Sequence, residues 1–169
     1  MSHLAGILML CFYTNYRGNS LPDALETFMF MPLIIGSATV FVSMGIQIIA
    51  VVFMLQYLER LMSGGTENFT GLSRNIYILS IVLLMLFIGH LVQVGIWAVL
   101  FVYLGEFGDF TTSFYHSMVN FASLGYGDIV MMDDWRLLGA IEACNGVLMF
   151  GLSAGTLLSV MTHLINAKR

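Results

Sequence analysis

Residues 110–128 read Phe-Thr-Thr-Ser-Phe-Tyr-His-Ser-Met-Val-Asn-Phe-Ala-Ser-Leu-Gly-Tyr-Gly-Asp, and the first eighteen of them carry no charge. The stretch lies between two long hydrophobic runs. Thr111 or Thr112 can cap a helix that continues to about Ala122. Such a helix is too short to cross a bilayer and suits a segment that enters and turns back. Ser123-Leu124-Gly125-Tyr126-Gly127 then has to lie at membrane depth without helical hydrogen bonding. Non-helical backbone is tolerated there only where protein or water surrounds it, so this loop is expected to line an aqueous path.

The short helix would turn its negative end toward the membrane centre, which favours a cation. Successive carbonyls of Ser123, Leu124, Gly125 and Tyr126 can face one axis only if the backbone alternates its hand, and Gly125 and Gly127 supply that freedom. One strand makes no cage. Closed rings of carbonyls require several copies around an axis.

The chain around this stretch is built for lipid. Of its 169 residues 59% are hydrophobic and 9% charged, against about 25% charged in soluble domains. Residues 27–58, 75–105 and 143–167 are uncharged, and each run exceeds the roughly 20 residues a spanning helix needs. The expected fold is therefore an all-α membrane protein with three transmembrane helices and one re-entrant helix. Residues 4–13 form an apolar run of roughly 15 Å as a helix, too short to span and without a basic segment before it, so it reads as a retained interfacial segment. Cys11 and Cys144 are far apart and in apolar sequence, which points to neither a disulfide framework nor a zinc site. The net charge of -4 comes with no basic patch, so nucleic acid is not an expected partner.

Asn19 and Ser20 before Pro22, Asp23 and Glu26 make a helix start, expected to lead through a short amphipathic piece to Pro32 and the first span. Arg60 and Arg74 lie in the polar connection between the first two spans, and Lys168 and Arg169 follow the third. With three alternating helices all four fall on one side, which the positive-inside rule makes cytoplasmic. The C-terminus is then cytoplasmic, and Asn68-Phe69-Thr70 is a chance match to a glycosylation acceptor. The opposite side receives Asp23, Glu26, Glu106, Asp109, Asp128, Asp133 and Asp134 against Arg17 and Arg136. Repeated around an oligomer, these acids concentrate cations.

The order of a short capped helix, a hydroxyl residue, an aliphatic residue, Gly125-Tyr126-Gly127-Asp128, Trp135 and a glycine-containing span resembles the pore-loop potassium channel family. The resemblance covers about residues 74–163 and leaves the first span outside the family's two-helix pore. Residues 1–32 are expected as an N-terminal interfacial segment and 33–62 as a first transmembrane helix, and the resemblance implies 74–165 as a pore domain of outer helix, pore helix, selectivity filter and inner helix. It also implies a homotetramer whose filter binds K+ on the backbone of Ser123, Leu124, Gly125, Tyr126 and Gly127, with carbonyls replacing the hydration shell. Tyr115 and His116 stand where many members carry paired aromatics. By that match His116 can bond the Tyr126 hydroxyl and Tyr115 can reach Asp128, with Asn120 beside them. Ser123 replaces the usual threonine, Leu124 replaces valine or isoleucine, and Val119 stands where some members carry a buried carboxylate. A weakly selective cation channel and a non-conducting accessory subunit are the alternatives. The first span's Gly36, Ser37, Ala38, Ser43 and Gly45 would serve the latter as a docking face.

Glu142 falls inside the third span, with Asn145 one turn on and Asn120 as a possible partner. Gln47, His90 and Gln93 are expected to make interhelical hydrogen bonds. Gly146, Gly151 and Gly155 can serve either close packing or a gate hinge, and His163 can face an inner vestibule. Gly151-Leu152-Ser153-Ala154-Gly155 fits G-x-S-x-G, but that motif needs a strand-turn-helix setting which a continuous apolar run does not provide, so no enzyme is expected. No repeated arginine series marks a voltage sensor, and no nucleotide-binding or calcium-binding sequence is present. Control is left to a partner protein, a lipid, protons or the filter itself, in a prokaryotic plasma membrane.

Overall fold

The computed structural model describes residues 21–63 and 71–166. Within them lie four helices and no strand: α1 (Leu21–Ser63), α2 (Gly71–Leu104), α3 (Phe110–Phe121) and α4 (Arg136–Asn166). The interfacial segment, Cys11, the possible acceptor Asn68 and the terminal Lys168 and Arg169 lie outside the described residues. Phe30–Arg60, Leu72–Leu104 and Arg136–Asn166 are long and apolar enough to cross a membrane. The protein is an all-α, multi-pass membrane protein.

The first span begins earlier than Pro32. That proline stands inside α1, where it withdraws the donor that would meet the Phe28 carbonyl. A spanning helix tolerates such a loss because neighbouring groups re-satisfy the freed carbonyl. Among its residues of described burial, Pro32, Gly36, Ser43, Gln47, Met54 and Leu58 are the buried positions. Steps of four and seven residues keep them on one helical face. That face lies against both α2 and α4. At Gly36 a Cβ would stand 2.7 Å from Ile141 Cδ1, so the missing side chain is what lets α1 approach α4.

Two apolar clusters join the helices. One contains Met54 and Leu58 of α1, Ile78, Val82 and Leu86 of α2, and Val160 and Leu164 of α4. The other, at the opposite end, gathers Val94, Trp97, Phe101, Phe121, Met131, Leu138 and Met149 beneath α3. Lipid gives no hydrophobic push between helices, so close packing and interhelical bonds have to hold them together. Gly146 shows how tight the packing is. A Cβ there would fall on the Phe121 carbonyl oxygen, and α4 therefore lies directly against the end of α3.

Candidate functional site: the re-entrant helix and its loop

Asp109, not Thr111 or Thr112, caps α3. Its extended backbone (φ -139°, ψ 153°) lets the carboxylate accept from the Thr112 amide at 2.8 Å. That bond holds the Asp109 carboxyl below the usual range. Thr112 donates to the cap instead of being it. On the flank, the Ser113 hydroxyl donates to the Ala98 carbonyl at 2.7 Å and pins the helix to α2.

The other end of α3 closes with a Schellman motif. Leu124 N–H bonds the Val119 carbonyl at 2.9 Å and Ser123 N–H bonds the Asn120 carbonyl at 2.8 Å. The motif requires a left-handed residue, normally glycine, and here it is Ser123 with φ 56°. That conformation costs a non-glycine residue about 1–2 kcal/mol. Gly125 and Gly127 follow at φ 58° and 73°, while Leu124 and Tyr126 keep the ordinary negative sign. The backbone thus alternates its hand over five residues. The two glycines were legible in the sequence, whereas the left-handed serine was not.

Two side chains brace the segment after the loop. The Tyr115 hydroxyl donates to Asp128 Oδ2 at 2.7 Å, and Asp128 Oδ1 accepts from the Ile129 amide at 3.0 Å. The Tyr115 bond is the chief reason the Asp128 carboxyl lies low. Within the chain neither ring nitrogen of His116 bonds Tyr126. Its Nδ1 donates to the Ile129 carbonyl at 3.2 Å, which leaves Nε2 to accept from Asn120 Nδ2 at 2.9 Å. The ring sits between Phe101 and Phe107, with centroids 5.7 and 4.8 Å away, and these contacts fix its direction. Further along, Glu106 Oε2 accepts from the Met132 amide at 2.9 Å. Partial burial raises the Glu106 carboxyl, with that bond pulling the other way and Asp134 adding to the rise.

A family described as ion channel matches residues 78–163, half of the chain, from the outer helix across the alternating loop to the end of the inner helix. The chain belongs to the pore-loop potassium channel family. No curated protein and no solved structure matches it. In the order of this family's elements α2 stands in the place of the outer helix, α3 of the pore helix, residues 123–127 of the filter loop and α4 of the inner helix.

Glu142 is completely buried where the inner helix meets the pore helix, with Ser117 and Asn145 as deeply enclosed. Ser117 and Asn120 turn toward its carboxyl, but no hydrogen bond closes on either oxygen. Because Glu142 is sealed within one chain, no neighbouring copy can reach it. The expected link to Asn145 is not made, as that amide also lacks a partner. The hinge candidates separate. Gly146 is a close-packing position, whereas a Cβ at Gly151 or Gly155 would meet nothing within 4 Å in the chain. His163 is exposed beside Ser159 and Thr162 on an open face of the inner helix. Ser153 gained a role the sequence reading did not assign it. Its hydroxyl lies 3.0 Å from His90 Nε2 and 3.3 Å from Gln47 Nε2.

Proposed function

We propose that four copies of the chain surround one axis and form a potassium-selective pore for passive flux, each contributing the carbonyls of Ser123, Leu124, Gly125 and Tyr126. The observation that carries this is the alternating sign of φ from Ser123 to Gly127. Alternation turns consecutive carbonyls to the same side, which an ordinary turn or strand does not do. Ions would exchange water for these oxygens and pass in single file. The pore helix aims its C-terminal carbonyls at the same place and adds a favourable potential for a cation. Tyr115, His116 and Asn120 hold the strand through Asp128 and Ile129.

The charge distribution supports a filter mouth on the outer side of a plasma or bacterial inner membrane, with Arg60 and Arg74 on the cytoplasmic side. A weakly selective cation pore is favoured by one observation. Ser123 keeps the hydroxyl of the usual threonine but not the methyl that would pack it. The accessory-subunit reading loses part of its support, because Gly36 and Ser43 already face the chain's own helices. Reversal potential of the purified protein in planar bilayers, with potassium opposite sodium, tests the proposal. A value near the potassium limit is expected. A value near zero with robust current selects the weakly selective pore, and persistent silence overturns conduction by the chain alone.

A further inference from the structure

Between the two apolar clusters every spanning helix contributes polar groups to one layer. Gln47 of α1 lies between Met44 and Val51, Gln93 and His90 of α2 between Leu86 and Val94, and Ser153 of α4 between Met149 and Leu157. Gln93 Nε2 donates to Gln47 Oε1 at 2.6 Å. Gln47 Nε2 donates to Ser153 Oγ at 3.3 Å, and the same hydroxyl meets His90 Nε2 at 3.0 Å. Gln47 and Gln93 are fully buried. His90 also leans on Phe121, the last residue of the pore helix, with ring centroids 5.9 Å apart.

Ser153 stands midway between Gly151 and Gly155, the two inner-helix glycines at which an added Cβ would meet nothing in the chain. This glycine-flanked segment of the inner helix is held at its centre by side chains from both other spans. We infer that the first span is a clamp on the inner helix: Gln47, seated by Gln93, and His90 hold Ser153 and stabilise the straight form of residues 151–155 against the bent one. Gln47 and His90 are positioning residues. They touch no ion and act through Ser153 on the helix that lines the pore. The inference rests on the reading of the chain as a conducting pore.

The test uses three substitutions that reach the layer from three helices. Ser153→Ala removes the held group and Gln47→Leu removes one holder. Gly89→Ala places a Cβ 2.9 Å from Gln47 Oε1, displacing the flexible end of that side chain and sparing the backbone. An interhelical hydrogen bond in a membrane is worth a factor of about three in an equilibrium constant. Open probability in bilayers is therefore expected to shift about threefold per chain in the same direction for all three, with reversal potential unchanged. The Gln47→Leu, Ser153→Ala double variant is expected to shift no further than the larger single. Melting of the same four proteins, wild type, two singles and double, reads the bond without any current and should show the same non-additivity.

Coupling in melting with an unaltered open probability overturns the clamp and leaves the pore reading standing. Additive effects on open probability also overturn it, as does a changed reversal potential, which would place the effect at the filter. A wild-type protein that melts cooperatively yet passes no current overturns the pore reading, and the clamp as a gating device falls with it.

Discussion

Ser123 combines two demands in one residue. As the left-handed residue of the Schellman motif it would best be glycine, and as the first filter position it offers a hydroxyl. Ser123→Gly is expected to stabilise the fold by about 1 kcal/mol through relief of strain while weakening potassium-over-sodium discrimination. Melting and reversal potential measured together check both halves. Asp109 and Asp128 make a separate prediction. Hydrogen bonds hold both carboxyls below their ordinary values. A lowered folded-state value favours the fold above the unfolded aspartate value, about pH 4, and that contribution drains away as pH falls through the folded value. Melting temperature should therefore decline in the acid limb below about pH 4, and Asp109→Asn or Asp128→Asn should flatten the decline. The sequence disclosed Gly125 and Gly127 because their chemistry depends on near neighbours, and the Tyr115–Asp128 pair through the family resemblance. It did not disclose the His116 bond to Ile129, which depends on Phe101 and Phe107 closing around the ring from another helix and a turn.

At the scale of elements, the spans and the re-entrant helix were legible because lipid leaves a chain few choices: uncharged runs longer than about 20 residues become helices. The run of α1 through Pro32 was not legible. Local rules put a helix boundary near a proline, whereas a membrane favours keeping every other backbone group in helical bonds. The packing of α1 on α2 and α4 was also hidden, because Gly36 and Gly89 look alike in sequence to Gly45, where an added Cβ would meet nothing. The same distinction makes a prediction on the inner helix. Gly146→Ala drives a methyl into the Phe121 carbonyl, a backbone atom that cannot step aside, and should cost about 3 kcal/mol. Gly151→Ala meets nothing in the chain and should leave folding intact, as the better helix former there. Yield of folded protein and thermal melting in detergent separate the two. Equal damage from both would mean that Gly151 lies against another copy.

For the whole molecule the decisive fact is how little one chain supports the loop at residues 123–127. All five filter residues are exposed, with Leu124 at 54% and Tyr126 at 66%. A strained, alternating backbone with large apolar side chains in the open is not a stable end state at membrane depth. In the proposed assembly other copies cover those side chains and complete the carbonyl rings, and the ion site exists only there. Mass action then links ion and assembly. An ion at 100 times its dissociation constant stabilises the form that binds it by about 2.7 kcal/mol. Potassium is accordingly expected to raise the temperature at which the purified oligomer dissociates, and sodium at the same ionic strength to raise it much less. Gly125→Ala, which places a side chain at φ 58°, should remove the difference between the two ions, even where the oligomer still forms. Cross-linking of heated samples in each salt, read by gel, measures this directly. Identical dissociation temperatures in potassium and sodium for the unmodified chain would mean that the assembled filter does not distinguish them, and the weakly selective pore would then be the better description.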